Sequence, residues 1–205
     1  MGMVMAIDAL LQQRQVWKGR PTALPPGSQP TGHATLDAAL PAGGWPEAAL
    51  IEVLIPADGV GELQLLWPTL ARLSRAGERI VLVAPPYLPF APAWQKAGIE
   101  LRHLQIVRVE TSRDALWATE QCLRSGSCGA VLCWPRDVDD RTLRRLQVAA
   151  ESGRTLAFAT RPLDAAHHAS PAALRIAVDA ESAQWRVLKC RGGWVPAQPI
   201  PRSAG

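Results

Sequence analysis

Residues 50–66 read LIEVLIPADGVGELQLL, and the order of apolar and turn residues in them decides the fold class. Leu50–Ile55 is an apolar run of strand length, 56–61 is a Pro/Gly turn, and a helical repeat of leucines follows from Leu63 to Leu73. Pro68 is expected to kink that helix because it lacks a backbone donor. The stretch predicts a strand, a turn and a helix, the repeating unit of a parallel sheet.

Apolar runs and helical repeats alternate along the rest of the chain. Leu174–Val178 and Trp185–Leu188 are joined by a polar turn, so they predict a C-terminal β-hairpin at the sheet edge. The alternation implies an α/β fold with a mostly parallel sheet, flanked by helices on both faces and joined by right-handed crossovers. The other strands are expected at Arg79–Ala84, Gln105–Val109, Gly129–Trp134 and Thr155–Thr160, and further helices at Ala91–Ala97, Ser112–Ser125 and Asp139–Glu151.

Both ends of the chain are predicted to be separate from this body. Ala6–Trp17 has the spacing of a short amphipathic helix, and Gly19–Pro30 is rich in Pro, Gly and Ser, as linkers are. Residues 1–30 are therefore predicted to be a helix with a linker, 31–195 a single globular domain and 196–205 a disordered tail.

The composition narrows the functional class. The 205 residues are 48% hydrophobic, but no apolar run approaches the roughly 20 residues that cross a bilayer, and the N-terminus lacks the pattern of an export signal. We expect a cytoplasmic protein without membrane contact. The four cysteines and four histidines match no zinc spacing, so no metal and no cofactor are expected. The net charge of +4 permits nucleic acid binding without demanding it.

The turn after the first strand is where an open parallel sheet binds ligands. A working phosphate loop has Gly, four further residues, then Gly, Lys and Ser or Thr, which together hold the phosphates and magnesium. Aligned on Gly61, this turn has Pro56, Glu62 and Leu63 at the other three positions, and Gly59 lies within it. A carboxylate in place of an ammonium repels phosphate by roughly 4 kcal/mol per unit charge at about 4 Å. ATP binding in the usual mode is not expected.

The remaining positions of such a site are equally unsuited to hydrolysis. The strand that would end in a magnesium-ordering aspartate runs into Trp134, whose indole cannot ligate a metal. The second strand runs into Ala84–Pro86, which offers no base to activate water. We therefore predict a degenerate phosphate loop and no enzymatic activity. A Pro/Gly turn also occurs in α/β proteins that never held a nucleotide, so the turn alone leaves both interpretations open.

The sequence upstream of the turn favours a relationship to nucleotide-binding proteins. Residues 31–40 read TGHATLDAAL, 42–46 read AGGWP and 50–53 read LIEV. This stretch resembles the RecA family, in which a Thr-Gly start, a Leu-Asp pair, a double glycine with proline and a glutamate-bearing strand precede the phosphate loop in this order. The resemblance implies that 31–195 is a RecA-like domain.

Within that family the chain is similar to ImuA proteins over nearly its whole length. The residues that carry the similarity are VWKGR at 16–20 and QWRVLKCRGGW at 184–194, together with the degenerate loop. The resemblance implies a non-catalytic accessory role in SOS-induced mutagenic translesion DNA synthesis. The partners it implies are the polymerase-like protein ImuB, an error-prone replicative polymerase and RecA. One alternative is a SulA-like cell division inhibitor that binds FtsZ, and a second is a RecA-type ATPase.

One candidate binding surface is basic. Arg141, Arg144 and Arg145 share a face of a predicted helix because they are spaced by three and four residues. A solvated basic face is the simpler interpretation, and a contact for DNA or for an acidic partner segment is the more specific one. Few aromatic residues other than tryptophan are present to stack on bases, so DNA is the less favoured partner.

The eight tryptophans supply a second candidate surface. Trp17, Trp185 and Trp194 lie in terminal segments, and we expect them at partner contacts because aromatic side chains anchor protein interfaces. Core positions are expected for Trp67, Trp117 and Trp134.

Overall fold

Eight strands form one sheet in the computed structural model, which describes residues 29–202. They are β1 (Leu50–Ile55), β2 (Arg79–Val83), β3 (Leu104–Val107), β4 (Cys128–Cys133), β5 (Leu156–Pro162), β6 (Leu174–Asp179), β7 (Gln184–Cys190) and β8 (Ile200–Pro201). Their order across the sheet is β3-β2-β4-β5-β1-β6-β7-β8. The first six strands are parallel, whereas β7 and β8 are antiparallel to their neighbours.

The first helix precedes β1, and the others connect successive parallel strands from β1 to β5. The helices are α1 (Ala34–Ala39), α2 (Glu62–Arg75), α3 (Ala91–Lys96), α4 (Ser112–Arg124) and α5 (Asp140–Gly153), with short 3-10 turns at Leu101–His103 and Leu163–His167. Side-chain caps fix where two of them begin: the Thr111 hydroxyl accepts the Asp114 N–H before α4, and the Asp139 carboxylate accepts the Thr142 N–H before α5. Each cap satisfies a donor that the first helical turn would leave unpaired.

Two apolar cores lie on opposite faces of the sheet. One packs α1, α2 and α3 against it and contains Trp45 and Phe158, whose rings meet edge to face with centres 5.2 Å apart. The other packs α4 and α5 against the sheet through Leu143, Leu146 and small side chains such as Ala159. Burial on both faces is what parallel sheets require. The predicted α/β fold with a mostly parallel sheet, flanking helices and a C-terminal hairpin is confirmed.

A buried hydrogen-bond network fixes the chain before β1. The Thr31 N–H donates to Asp37 Oδ1 over 2.9 Å, and Trp45 Nε1 donates to Thr69 Oγ1 over 2.7 Å. The Thr69 hydroxyl then donates to the Thr31 carbonyl over 3.0 Å. These four residues, with Gly32, are called the N-terminal clasp below. The clasp ties the segment that resembles RecA to the middle of α2.

The Gly32 backbone packs closely against Pro68 of α2. Its φ of 88° lies in the left-handed region that favours glycine. A Cβ at this position would lie 2.3 Å from the Cβ of Pro68, which is inside α2. Only a residue without a side chain allows the chain to pass this helix so closely.

The C-terminus differs from the sequence prediction. The prediction of a disordered tail at 196–205 is wrong for the part that the structure describes, because Ile200–Pro201 forms β8 and pairs with β7. The Arg202 N–H also donates to the Ala183 carbonyl over 3.1 Å. β8 covers only residues 184 and 185, so the rest of β7 remains at the sheet edge, as predicted for the hairpin.

The predicted helix at Ala6–Trp17 and nearly all of the predicted linker lie outside the described residues. Between residues 29 and 202, no helix combines the length and the apolar character that a membrane span requires.

Candidate functional site

The turn between β1 and α2 holds a carboxylate of its own chain. Gly59 and Gly61 have φ values of 82° and 89°, and Gly61 is the residue from which α2 begins. This geometry turns the Glu62 side chain back toward the loop, where Oε1 accepts the Gly59 N–H over 3.2 Å. A phosphate loop offers such amides to a bound phosphate. Here an internal anion takes one of them.

A buried carboxylate at position 62 is energetically unfavourable. Only 7% of Glu62 is exposed, and its second oxygen, Oε2, makes no hydrogen bond to any described residue. A buried carboxylate with a free lone pair is unfavourable unless a donor or cation completes it. The charge would repel a phosphate brought to the same amides. The turn therefore places an anionic side chain of its own where a phosphate loop offers an amide to phosphate.

The other two degenerate positions carry no metal-binding atom. Leu63 packs its side chain against the core under α2, and Pro56 is exposed at the end of β1. Neither can supply the hydroxyl or the amide donor of a working loop.

The C-terminal segment covers the turn from outside. Arg202 Nη1 donates to the Val60 carbonyl over 3.3 Å, and Nη2 donates to the Asp179 carbonyl over 2.9 Å. A Cβ at Gly61 would lie 2.9 Å from Arg202 Nη1. This contact is not predicted from the sequence, which indicates a disordered tail at 196–205.

The end of β4 faces the same turn. Trp134 is half-buried and packs against the core beneath α2, so no carboxylate stands at the position expected for a magnesium-ordering aspartate. Two residues later, Arg136 Nη2 lies 2.6 Å from Asp58 Oδ2 and joins the loop after β4 to the turn. The arginine therefore bridges two loops at the carboxyl edge of the sheet.

A cavity of about 220 Å³ lies at the carboxyl ends of β2 and β4, beside the first turn of α4. Its lining includes Thr111, Thr119, Cys133 and Asp137. Burial raises the pKa of the Cys133 thiol to about 12, so the thiol stays protonated, and it donates to the Phe158 carbonyl. Ligand pockets are usually about 300–1,000 Å³, and no group of three or more metal-binding side chains occurs among the described residues.

A buried network of one carboxylate and two guanidinium groups lies inside the sheet and is not predicted from the sequence. Glu52 is fully buried, and its Oε1 accepts a hydrogen bond from Arg161 Nη1 over 2.6 Å. Its Oε2 lies 2.6 Å from Arg175 Nε, an ion pair without hydrogen-bond geometry. Arg175 also donates to the carbonyls of Ala165 and His168. The network joins β5, β1 and β6 and holds the segment between β5 and β6 against the sheet.

Comparison with known proteins identifies the family of this chain. A sequence profile described as "Cell division inhibitor SulA" matches residues 50–157, which is more than half of the 205-residue chain. The chain belongs to the SulA family. In the solved structure described as SulA from Pseudomonas aeruginosa, 24% of the aligned residues are identical, with a TM-score of 0.47, covering 57% of this chain and 99% of that one.

RecA proteins are further relatives of this SulA-family chain. RecA of Streptomyces ambofaciens is 29% identical over 135 residues, and RecA of Bartonella tribocorum is 30% identical over 131 residues. The matches cover 62% and 60% of this chain but 36% and 38% of the two RecA proteins. The chain therefore spans less than two fifths of these relatives. A relationship to the SulA and RecA families is confirmed, while membership of ImuA stays a prediction.

The predicted basic face carries acidic partners in this SulA-family chain. Arg144 lies 3.3 Å from Asp140 on α5, and Arg145 is paired with Glu120, a buried residue of α4. Arg141 is exposed. Two of the three arginines are therefore partly neutralised, and one of them joins two helices.

The three tryptophans expected at contacts lie in different surroundings. Trp17 is outside the described residues. Trp185 is 1% exposed and meets the His33 ring edge to face, with centres 4.5 Å apart, so the expectation that it is accessible to a partner is wrong. Trp194 is 84% exposed. It follows Gly193, where a Cβ would lie 1.9 Å from Pro41 Cγ, so the backbone beside it is closely packed.

Exposed apolar residues also occur where the sequence did not suggest them. Trp117 was expected in the core but is 62% exposed on α4. Tyr87, Leu88 and Phe90 are each 70% exposed between β2 and α3, and are called the apolar loop below. Prolines on either side interrupt any helical or strand periodicity there, which is why the sequence pattern gave no warning.

Proposed function

We propose that this SulA-family protein is a non-catalytic accessory factor of SOS-induced mutagenic translesion DNA synthesis and acts by binding other proteins. The observation that carries the proposal is the Glu62 carboxylate, which accepts the Gly59 amide in the turn where a nucleotide phosphate would be bound. The ImuA resemblance of the two terminal segments supplies the cellular role. ImuB is the principal partner, with an error-prone replicative polymerase and RecA as further ones.

The non-catalytic part of the proposal is tested by nucleotide binding. Calorimetric titration with Mg-ATP is expected to give no binding in the micromolar range, with or without single-stranded DNA. Glu62→Lys restores the charge of a phosphate loop but leaves Pro56, Leu63 and Trp134 unchanged, so it is expected to remain inactive. Micromolar affinity in the wild type, or turnover in the variant, would revive the ATPase alternative.

Trp194 is the tryptophan best placed to contact ImuB. It is almost fully exposed on a segment between β7 and β8 whose backbone packs against Pro41. A large aromatic side chain on a closely packed backbone loses little entropy when it is buried by a partner. Trp194→Ala is expected to weaken ImuB binding by about 2 kcal/mol, or roughly 30-fold in Kd.

Trp117→Ala is the matched control for that measurement, because it removes an exposed tryptophan on a different element. Its ImuB affinity is expected to change less than about threefold. Trp185→Ala is unsuitable, since it would leave a cavity in the core. Equal affinities of wild type and Trp194→Ala, measured by surface plasmon resonance, would eliminate this surface.

A SulA-like inhibitor of cell division is the second candidate function. The family match over 50–157 favours it, and the apolar loop lies within the matched range. If FtsZ is the partner, Leu88→Ser with Phe90→Ser should abolish inhibition of FtsZ polymer sedimentation, whereas Trp194→Ala should not. Affinity purification from DNA-damaged cells separates the two functions, since recovery of ImuB supports the first and recovery of FtsZ the second.

A further inference from the structure

A small hollow of about 50 Å³ opens where β1 and β5 end. Its walls are residues 56–58 of the turn, residues 160–162 of β5 and the Arg136 side chain. The Arg136 side chain stands between it and the larger cavity at the ends of β2 and β4, and lines both. Parallel sheets bind their ligands at this edge, so the position is suited to a site.

The charges behind this hollow do not balance. Arg161 and Arg175 share the single carboxylate of Glu52, and all three residues are at least nine-tenths buried. Arg136 is matched by Asp58, which leaves one positive charge in excess over these five residues. An excess charge in a poorly solvated place is unfavourable, and an anion in the adjoining hollow would lower its energy.

Arg161 is the residue that connects the network to the hollow. It lines the hollow and is 5% exposed, and its Nε makes no hydrogen bond to any described residue. Its Nη1 and Nη2 are already directed to Glu52 and to the Val138 carbonyl. The guanidinium is therefore fixed in place with part of its donor capacity unused.

We propose that the hollow binds a single oxyanion, either inorganic phosphate or sulfate, or the carboxylate of an acidic side chain presented by a protein partner. A volume of about 50 Å³ exceeds the roughly 10–15 Å³ that one water needs but is far below the roughly 300 Å³ at which small-molecule pockets begin. An oxyanion fits and a nucleotide does not. This site does not depend on which protein partner the chain has.

Asp58 is the internal competitor for this site. Its carboxylate lines the hollow and holds Arg136 at 2.6 Å. Asp58→Asn removes a like charge next to the bound anion and releases Arg136, so it is expected to tighten anion binding about tenfold. Arg136→Gln removes a cation from the wall and is expected to weaken binding by a similar factor. Asp58 and Arg136 lie in surface loops, and both variants are expected to fold.

The experiment is a titration of the full chain followed by two-dimensional ¹H–¹⁵N NMR at constant ionic strength. One arm uses sodium sulfate and the other uses N-acetylglutamic acid amide, which carries a single side-chain carboxylate. Saturable shifts of the Ala57, Asp58 and Arg161 amides are expected, ranked Asp58→Asn, wild type, Arg136→Gln in affinity. Arg108→Gln, which removes an exposed arginine after β3 at the far edge of the sheet, is the control and should match the wild type.

Each outcome of the titration has a defined meaning. Sulfate binding alone assigns the site to a free inorganic anion, and binding in both arms assigns it to a carboxylate as well. Shifts that do not saturate in either arm, even in Asp58→Asn, overturn the proposal. An equal loss of affinity in Arg108→Gln and Arg136→Gln also overturns it, because the anion would then be responding to net charge.

Discussion

Two buried glutamates, ten positions apart, show how differently the interior of β1 and the turn after it use a charge. Glu52 is fully buried and has a guanidinium within 2.6 Å of each oxygen. Glu62 is 7% exposed and accepts one amide, while its second oxygen has no partner among the described residues. The first carboxylate joins three strands, whereas the second accepts a single amide within its own turn.

This difference separates fold from activity in the stretch that resembles RecA. The clasp and Glu52 are engaged in buried contacts that position β1 and α2. The turn between those elements contains a carboxylate where ligand chemistry would need a cation. A resemblance carried by the structural residues therefore predicts the architecture and leaves the activity to the turn.

The largest expected effect is the difference in stability lost when each of the two glutamates is truncated to alanine. Glu52→Ala leaves two buried guanidiniums without a counter-charge and is expected to lower the free energy of unfolding by about 3–5 kcal/mol. Glu62→Ala removes a buried carboxylate that has a single amide partner, and its effect is expected to stay within about 1 kcal/mol. Urea unfolding monitored by tryptophan fluorescence measures both.

Similar losses in these two variants would contradict the comparison, because they would mean that Glu62 is as well compensated as Glu52. Asp140→Ala serves as a surface control. That residue is paired with Arg144 at 3.3 Å, and both side chains are about half exposed or more. Its loss is expected to cost at most about 1 kcal/mol.

A smaller effect is expected for two glycines with nearly the same backbone angle. Gly32 and Gly59 have φ values of 88° and 82°. Gly32→Ala brings a methyl group 2.3 Å from Pro68 Cβ and adds backbone strain, for an expected loss of about 2–4 kcal/mol. Gly59→Ala meets nothing within 4 Å and should lose only the strain, about 1–2 kcal/mol.

The ratio of the stability losses in Gly32→Ala and Gly59→Ala, measured by urea unfolding, tests whether the clasp is more closely packed than the turn. A greater loss in Gly59→Ala than in Gly32→Ala would show that the turn is the more constrained of the two.

Local patterns in the sequence predicted most of the elements correctly. The strands around Leu50–Ile55 and the helices around Ser112–Arg124 are found within a few residues of the predicted bounds, because their apolar spacing is regular. β8 was missed because two residues carry no periodicity, and its pairing depends on where β7 lies. The prediction that Trp185 is accessible to a partner was wrong. The sequence pattern could have shown this, because Trp185 and Val187 alternate with the exposed Arg186, as residues of a half-buried strand do.

The buried ion pairs could not be predicted from sequence spacing. Glu52 and Arg161 are 109 residues apart, and they meet only because β1 and β5 are neighbours in the sheet. Glu120 and Arg145 likewise meet because α4 and α5 pack side by side. The degenerate turn was easier to predict than the ion pairs, because Pro56, Glu62 and Leu63 lack the groups that make the usual phosphate contacts.

The smallest expected effect is a pH dependence of stability that arises from the half-buried His33 ring. Burial lowers the pKa of His33 below its usual value of about 6.5, and this outweighs the Leu65 carbonyl and nearby Asp37, which both raise it. The folded state therefore favours the neutral ring, which lies edge to face with Trp185.

Because the folded pKa is depressed, the unfolded chain binds more protons between the two pKa values, and stability falls as pH decreases through that window. The contribution is fully present above about pH 6.5 and is lost as the pH drops toward the folded pKa. The urea midpoint is therefore expected to fall between about pH 7.5 and 5.5, and His33→Gln should flatten this slope. His167→Gln, at an exposed position, is the matched control and should keep it. A wild-type slope that His33→Gln leaves unchanged would mean that other groups cause the pH dependence and that the His33–Trp185 contact tolerates a charged ring.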